Sequence, residues 1–360
     1  MQEVLHTRKC FYIGGRYQTP EDQPTTDNAE IMTEQMYVKE LKPATTTQNH
    51  PIVFWHGMCQ TGASWLTTPD GRPGWASYFL DQGYTVYVVD SPERGRSAHA
   101  PGSSKLITIS DSYVQNYWTA TSSNGNLWPQ APLHTQWPGT GKRGDPTFDA
   151  FMASQIQSRN DYLAAELLAQ HLGADLFHKI GPAILCTHSQ GGSHGWLIAD
   201  AVPHLIKAII ALEPVGPPFV NRVASVVKRP DPNERRRPYG ITMAPITYQP
   251  PITTSDELKT THRYPPDGTI CEVILQADPP RQLPNLRKVP VLIMTSESGY
   301  HAHYDHATVT YLRQAGVDVT WLELPKLGIK GNGHFMFMEQ NSVEIAEHVR
   351  RWLVHGIRGL

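Results

Sequence analysis

Ile184-Leu-Cys-Thr-His-Ser-Gln-Gly-Gly192 is an apolar run that stops abruptly at a hydroxyl set among small residues. A short buried strand over Ala183 to Cys186, a tight turn at Ser189 and a helix opening at Gln190 together read as a nucleophile elbow. The serine of such an elbow takes a strained backbone conformation with its oxygen exposed, which demands small residues two before and two after it. Thr187 and Gly191 fill those places, Thr187 standing where the usual G-x-S-x-G form has glycine. Gly192 lets the helix start close against the strand. A buried strand ending in an ordinary Ser-Gly turn has the same local pattern, so the rest of the chain decides between the two.

Outward from the elbow, short apolar runs alternate with helical spacing. Cys10 to Ile13 and Gln35 to Leu41 predict an opening antiparallel pair. Pro51-Ile-Val-Phe-Trp-His-Gly57 runs apolar without polar alternation, as a strand covered on both faces does. Pro73 to Gln82 has the punctuation of a helix, and Tyr84 to Val89 forms the next buried strand, ending at Asp90. Phe148 to Leu172 carries helical spacing, stops at Gly173 and delivers the chain to the elbow strand. Ala208 to Leu212 is a strand ending at Glu213-Pro214. Val289 to Thr295 and Val317 to Leu322 are strands around a helix at Thr308 to Ala315, and a last helix carries Val343, Ile345, Val349 and Leu353 on its apolar side. Strand, helix, strand at this spacing predicts an α/β fold with a mostly parallel sheet.

Two excursions interrupt that rhythm. Residues 98–147 are rich in Gly, Pro, Ser and Thr yet carry Tyr113, Tyr117, Trp118, Trp128 and Trp137, more aromatics than a disordered linker would. Residues 215–288 are dense in proline. The expectation is a single domain over 1–360 in which these insertions form a lid or cap.

The 360 residues carry a formal charge of −2, which calls for neither nucleic acid nor an anionic membrane. The one basic concentration, Lys228, Arg229, Arg235, Arg236 and Arg237, is broken by Asp231, Glu234 and prolines and reads as a solvated loop. Four cysteines in a chain this long make no disulfide framework, and Cys186 reads as a small buried hydrophobe. The start of the chain has no apolar core of signal-peptide length, and no run reaches the length of a membrane span; the expected location is the cytoplasm.

His56-Gly57 after the first parallel strand, Asp90 with Gly95-Arg96-Ser97 after the next, the Ser189 elbow and Gly331-Asn-Gly-His334 before the final helix together resemble the α/β-hydrolase fold. The resemblance covers nearly the whole chain outside the excursions. More narrowly, His56-Gly-Met-Cys-Gln-Thr-Gly62, Thr67-Thr-Pro-Asp-Gly71, His188-Ser-Gln, Glu213-Pro and Gly331-Asn-Gly-His334 are similar to a small esterase subfamily whose acid follows the sixth strand. Two departures stand out. Glu93 replaces a glycine common among relatives and reads as cosmetic, and Met58-Cys59 replaces a Cys-Cys pair, ruling out a vicinal disulfide there.

The resemblance implies a serine nucleophile, Ser189, whose weakly nucleophilic hydroxyl needs a base. His334, on the loop after the last strand, is that base; His188 and His194 flank the elbow with backbone directions that aim them elsewhere. Backbone N–H groups of Gln190 and, by resemblance, Met58 serve the oxyanion. For the acid, Glu297 follows the seventh strand directly and Asp305 is expected on the next helix. Glu213 ends the strand beside the elbow strand and is preferred. Trp118, Trp128 and Trp137 are candidate substrate contacts. His301, His303 and His306 lack the spaced carboxylate of a zinc site, so neither metal nor cofactor is expected. The function read from these residues is hydrolysis of a carboxylic ester or lactone, bulky and partly apolar, through an acyl-enzyme. An acyltransferase or carbon–carbon-cleaving enzyme with the same residues, or a silent ligand-binding module, are the alternatives.

Overall fold

Eight strands hydrogen-bond into one sheet: β1 (His6–Gln18), β2 (Ile31–Pro43), β3 (Ile52–Trp55), β4 (Val86–Val89), β5 (Ala183–His188), β6 (Ile206–Leu212), β7 (Val291–Thr295) and β8 (Val319–Glu323). They lie in the order β1-β2-β4-β3-β5-β6-β7-β8. β1 and β2 pair antiparallel, β2 meets β4 antiparallel, and every pairing from β4 through β8 is parallel. This is a computed structural model, and it describes residues 3–20, 27, 29–99, 102, 105–123, 127–220, 237–263 and 271–357.

The unbroken apolar runs have a plain cause: every residue of β3, β4 and β5 is buried, because helices cover both faces of the sheet. Along β5 the side chains alternate, Ala183 and Leu185 entering one core while Ile184 and Cys186 enter the other. The first core is closed by α2 (Tyr162–Ile180), α3 (Gly191–Ala201) and α4 (Asp305–Gln314), through residues such as Leu176, Trp196 and Leu312. The second is closed by α1 (Trp75–Asp81) and α5 (Ser342–Arg351), through Trp75, Phe79, Ile345 and Val349. Each such large apolar side chain, taken fully out of water, contributes about 1.5–3 kcal/mol.

The stretch read as one helix from Phe148 is two. A helix over Pro146–Ala153 is capped by Asp145 and ends before the two-residue strand Ser158–Arg159, which pairs with Leu106–Ile107 of the first excursion. α2 then starts at an Asp161 cap and runs through Gly173 to Ile180. Gly173 is there for packing rather than termination: a Cβ on it would lie 2.4 Å from Ile198 Cδ1 of α3, so glycine sets how closely these helices meet.

Cys10 is exposed, Cys59, Cys186 and Cys271 are buried, and none of the four is in a disulfide. Among the described residues no helix is long and apolar enough to cross a membrane. Of the basic cluster, Lys228, Arg229, Arg235 and Arg236 lie outside the described residues. Arg237 departs from the solvated-loop expectation, because it is buried and its guanidinium donates to the Pro217 and Val220 carbonyls.

Candidate active site

The elbow forms where β5 turns into α3. Ser189 has φ +53°, a left-handed conformation that costs a non-glycine residue about 1–3 kcal/mol and persists only where its surroundings over-determine it. They do so here. Ser189 N–H donates to Leu212 O at 3.1 Å, and its carbonyl accepts from Gly192 N at 2.9 Å and Val215 N at 2.8 Å. Glycine is required around it: a Cβ on Gly191 would lie 2.7 Å from His56 O, and one on Gly192 2.5 Å from Pro214 Cβ. The bulkier Thr187 is accommodated one turn into α3, where a Cβ on Gly195 would meet Thr187 Cγ2 at 2.8 Å.

The loop bearing His334 is held from several sides. Gly331 N–H donates to Glu297 Oε2 at 2.7 Å, Ser298 N–H to Asn332 O at 2.8 Å, and Thr135 N–H to Gly331 O at 2.9 Å. The buried Glu339 carboxylate accepts from Gly333 N–H, from Asn332 Nδ2 at 2.7 Å and from His134 Nε2 at 2.8 Å. These contacts leave His334 one place to stand, with Nδ1 2.7 Å from Glu213 Oε2. Glu213 also accepts from Ser296 N–H at 2.9 Å and from the Ser296 hydroxyl, so three donors converge on one buried carboxylate. Burial raises its pKa, while His301 and the Ser296 donors pull it back. Gly299 leaves the room: a Cβ there would sit 2.7 Å from Glu213 Oε1.

With the Nδ1 proton given to Glu213, His334 Nε2 is the free lone pair. It accepts from the Tyr300 hydroxyl at 3.0 Å. Burial lifts the Tyr300 phenol well above its ordinary range, with Tyr113 and Glu213 adding to the rise and the nearby Trp118 and Ser189 opposing it. Tyr300 lines the same cavity as Ser189, so its hydroxyl stands between the imidazole and the serine side of the site. Burial, reinforced by His301, holds His334 well below 6.5 and neutral. His188 and His194 point away: His188 Nε2 donates to His334 O at 3.0 Å, and His194 Nδ1 accepts from Trp55 Nε1 at 3.0 Å.

The opposite wall is the loop after β3. Gly57 sits against the elbow, where a Cβ would lie 3.0 Å from Ser189 Cβ. Neither Met58 N–H nor Gln190 N–H is engaged by another group among the described residues, so both backbone donors are free beside the serine. His56 is neutral, its pKa lowered by burial to about 4, and it braces the loop by accepting from Ser91 N–H and donating to Gly57 O. Glu93 is more than a cosmetic replacement. It holds φ +60°, where glycine would be relaxed, and its buried carboxylate pairs with Arg159 at 2.6 Å.

A sequence profile of the alpha/beta hydrolase family matches residues 52–348. The chain belongs to this family. A protein named Probable secreted lipase phiG, from Fungal sp. (strain ATCC 74256), is 47% identical over 344 residues, 95% of this chain and 88% of that protein. Among solved structures, a novel bacterial esterase described at atomic resolution aligns with a TM-score of 0.67 over 98% of this chain and 97% of its own, at 24% identity, a likeness of fold.

In this α/β-hydrolase a cavity of about 480 Å³ opens onto Ser189, within the range of small-molecule sites. Met58, Ile109, Tyr113 and Trp118 make an apolar wall, and Glu166, Ser193 and Arg237 a polar one. Both excursions reach it, the first through Ile107 to Trp118 and the second through Arg237 and Met243. Of the three candidate tryptophans only Trp118 lines the cavity. Trp128 donates Nε1 to Ser298 O at 2.9 Å and Trp137 packs edge-on to Phe151 at 5.2 Å, both in the core behind the wall. Trp118→Ala is thus expected to weaken bulky esters at least tenfold more than acetyl esters. Trp128→Ala is expected to lose about 3–5 kcal/mol of stability, with no change in acyl preference. Kinetics on paired substrates and denaturant titration check this; equal losses on both esters for Trp118→Ala would remove it from the substrate wall.

Glu213, His301 and His334 place ligand atoms within 4.8 Å of one another, but each is committed elsewhere. His334 Nδ1 serves Glu213, His301 Nδ1 pairs with Asp305 at 2.9 Å and His301 Nε2 with the Tyr304 hydroxyl at 3.0 Å. His306 Nε2 bonds Cys271 O. The three histidines 301, 303 and 306 form no common site among the described residues. Tyr300, Ser296 and Arg94 carry no motif signal, and the sequence alone does not single them out.

Proposed function

We propose that this protein hydrolyses a carboxylic ester or lactone through an acyl-enzyme on Ser189. The observation supporting the proposal is one arrangement: Ser189 at +53° on the elbow, Glu213 fixed on Nδ1 of a buried, neutral His334, and the other imidazole nitrogen on Tyr300, which lines the same cavity as Ser189. Ser189 Oγ attacks the carbonyl carbon while its proton passes to His334 Nε2, along a path beside the Tyr300 hydroxyl. Glu213 stabilises the imidazolium that results, and the Met58 and Gln190 N–H groups receive the oxyanion. The imidazolium protonates the departing alkoxide, and water, deprotonated by the same histidine, releases the acid. The apolar wall suits a bulky, partly apolar acyl or alcohol group. Similarity to a protein named a lipase supports ester chemistry. The same name speaks of secretion and lends the cytoplasmic expectation no support; fractionating cells and medium decides the compartment.

The test is an ester and lactone panel run with and without added alcohol or amine. Free acid as the product supports hydrolysis; preferential transfer to the additive would move the protein to the acyltransferases.

The buried imidazole sets the pH dependence. The base must be neutral, and burial holds His334 well below 6.5, so kcat/KM is expected to rise with pH through a midpoint below 6.5 and stay flat above. The same depression affects stability, because between pH 6.5 and the folded-state value the unfolded chain binds a proton the folded chain refuses. Stability is then complete above 6.5 and falls on acidification, with His56 and His301, both lowered to about 4, adding to the loss. Melting curves across the same pH range separate titration from unfolding. Chelators should leave the rate unchanged; loss reversed by zinc would promote the Glu213, His301, His334 cluster to a metal site.

A further inference from the structure

We infer that Arg94 is a positioning residue for the oxyanion hole, its one guanidinium fixing both chain segments whose N–H groups receive the negative charge. The inference rests on the acyl-enzyme reading of Ser189. Gly57 C=O and Met58 N–H belong to one planar peptide and point in opposite directions, so whatever holds the carbonyl aims the N–H. Arg94 Nη1 donates to Gly57 O at 3.3 Å. Its Nη2 donates to Gln190 Oε1 at 2.8 Å, on the residue whose backbone supplies the other N–H. His56 helps to hold the same carbonyl. Ser91 N–H donates to His56 Nε2 at 2.9 Å, which leaves the imidazole proton on Nδ1 for Gly57 O at 2.9 Å.

Charge makes Arg94 more than a brace. It is buried, and among the described residues no carboxylate pairs with it; the adjacent Glu93 is taken by Arg159. Burial lowers its pKa only to about 10, so it is a cation at neutral pH. A cation on the carbonyl side of a peptide polarises it and strengthens its N–H as a donor, most of all in a water-poor site. Two forked donors on two separate acceptors are also geometry that guanidinium supplies and an ammonium does not. The charge stands behind the Gly57–Met58 peptide, so its benefit grows as the oxyanion forms and is small for the bound ester.

The experiment compares Arg94→Met and Arg94→Lys with the unaltered protein in kcat, KM, melting temperature and affinity for an alkyl boronic acid, which becomes tetrahedral on a serine hydroxyl. The expected loss in kcat for Arg94→Met is about 10- to 100-fold, below the 10²- to 10³-fold cost of losing a donor outright. KM should stay within about twofold, boronate affinity should fall in parallel with kcat/KM, and Arg94→Lys should lie between. Unchanged kcat and boronate affinity in a folded Arg94→Met, or a rise in KM at constant kcat, would overturn the inference. If neither variant folds, a crystal structure of the boronate adduct of the unaltered protein decides. A boronate oxygen on Met58 and Gln190 N–H with Arg94 still on Gly57 O supports it, and Arg94 displaced from Gly57 O overturns it. No adduct on Ser189 at all would remove the acyl-enzyme reading and this inference with it, an outcome distinct from the others.

Discussion

Ser189→Ala is expected to erase covalent labelling by an alkyl fluorophosphonate and to lower turnover about a millionfold, while the protein stays folded. The size follows from the division of labour. Without Oγ no acyl-enzyme forms, and the imidazole, the carboxylate and the two backbone donors have nothing to act through together. What survives is the weaker help that a polarising pocket gives to water. Folding should survive because the strain at Ser189 belongs to its backbone: φ +53° is held by bonds to Leu212, Val215 and Gly192 that alanine keeps. Ser189→Gly carries the argument further. Glycine adopts this conformation without penalty, so the glycine variant should be inactive yet melt no lower than the active protein, a sign that the elbow stores strain for function. Intact-mass detection of one added phosphonyl group, together with melting curves, checks both halves. Labelling that persists in Ser189→Ala would place the nucleophile elsewhere and end the elbow reading.

The elbow and the parallel strands are legible in the sequence because their physics is local. A strand covered on both faces must be apolar at every position, and β3, β4 and β5 are. A turn at positive φ between strand and helix must be ringed by small residues, and Gly191 and Gly192 stand there. Periodicity carries no tertiary information, and each misjudged element failed for that reason. Gly173 carries the usual mark of a helix end, yet it sits mid-helix because Ile198 of α3 needs the space. Trp128 and Trp137 are as aromatic as Trp118, and only the packing of the first excursion decides which of the three faces the cavity. Glu93 is a neutral replacement in its local context alone; its partner Arg159 comes from far along the chain. Tyr300 and Arg94 belong to no motif, because they follow β7 and β4 and act on groups that other strands bring to them, His334 after β8, Gly57 after β3 and Gln190 after β5, and sequence spacing cannot reveal such meetings.

Glu213→Gln is expected to cut kcat by up to about ten-thousandfold, and Glu297→Gln by no more than a few-fold, although both carboxylates reach the histidine loop. The difference lies in what each accepts. Glu213 receives three donors, His334 Nδ1–H, Ser296 N–H and Ser296 O–H, and is buried beyond the reach of water. An amide in its place must turn an NH₂ toward at least one of them. If that one is His334, the imidazole moves its proton to Nε2, where the lone pair that should take the serine proton is lost. If it is Ser296, the amide oxygen remains on Nδ1 but no charge balances the imidazolium. Either way the barrier rises while the shape of the core is unchanged, so melting should shift little. Glu297, by contrast, accepts one Gly331 N–H at 2.7 Å, and the carbonyl oxygen of glutamine can do the same. Among the described residues its charge faces no ring nitrogen, and Glu339, Asn332 and Thr135 continue to hold the loop. Single-turnover acylation rates for the two variants, taken with their melting curves, make the comparison. A crippled Glu297→Gln beside a nearly active Glu213→Gln would transfer the role of orienting His334 from the end of β6 to the end of β7.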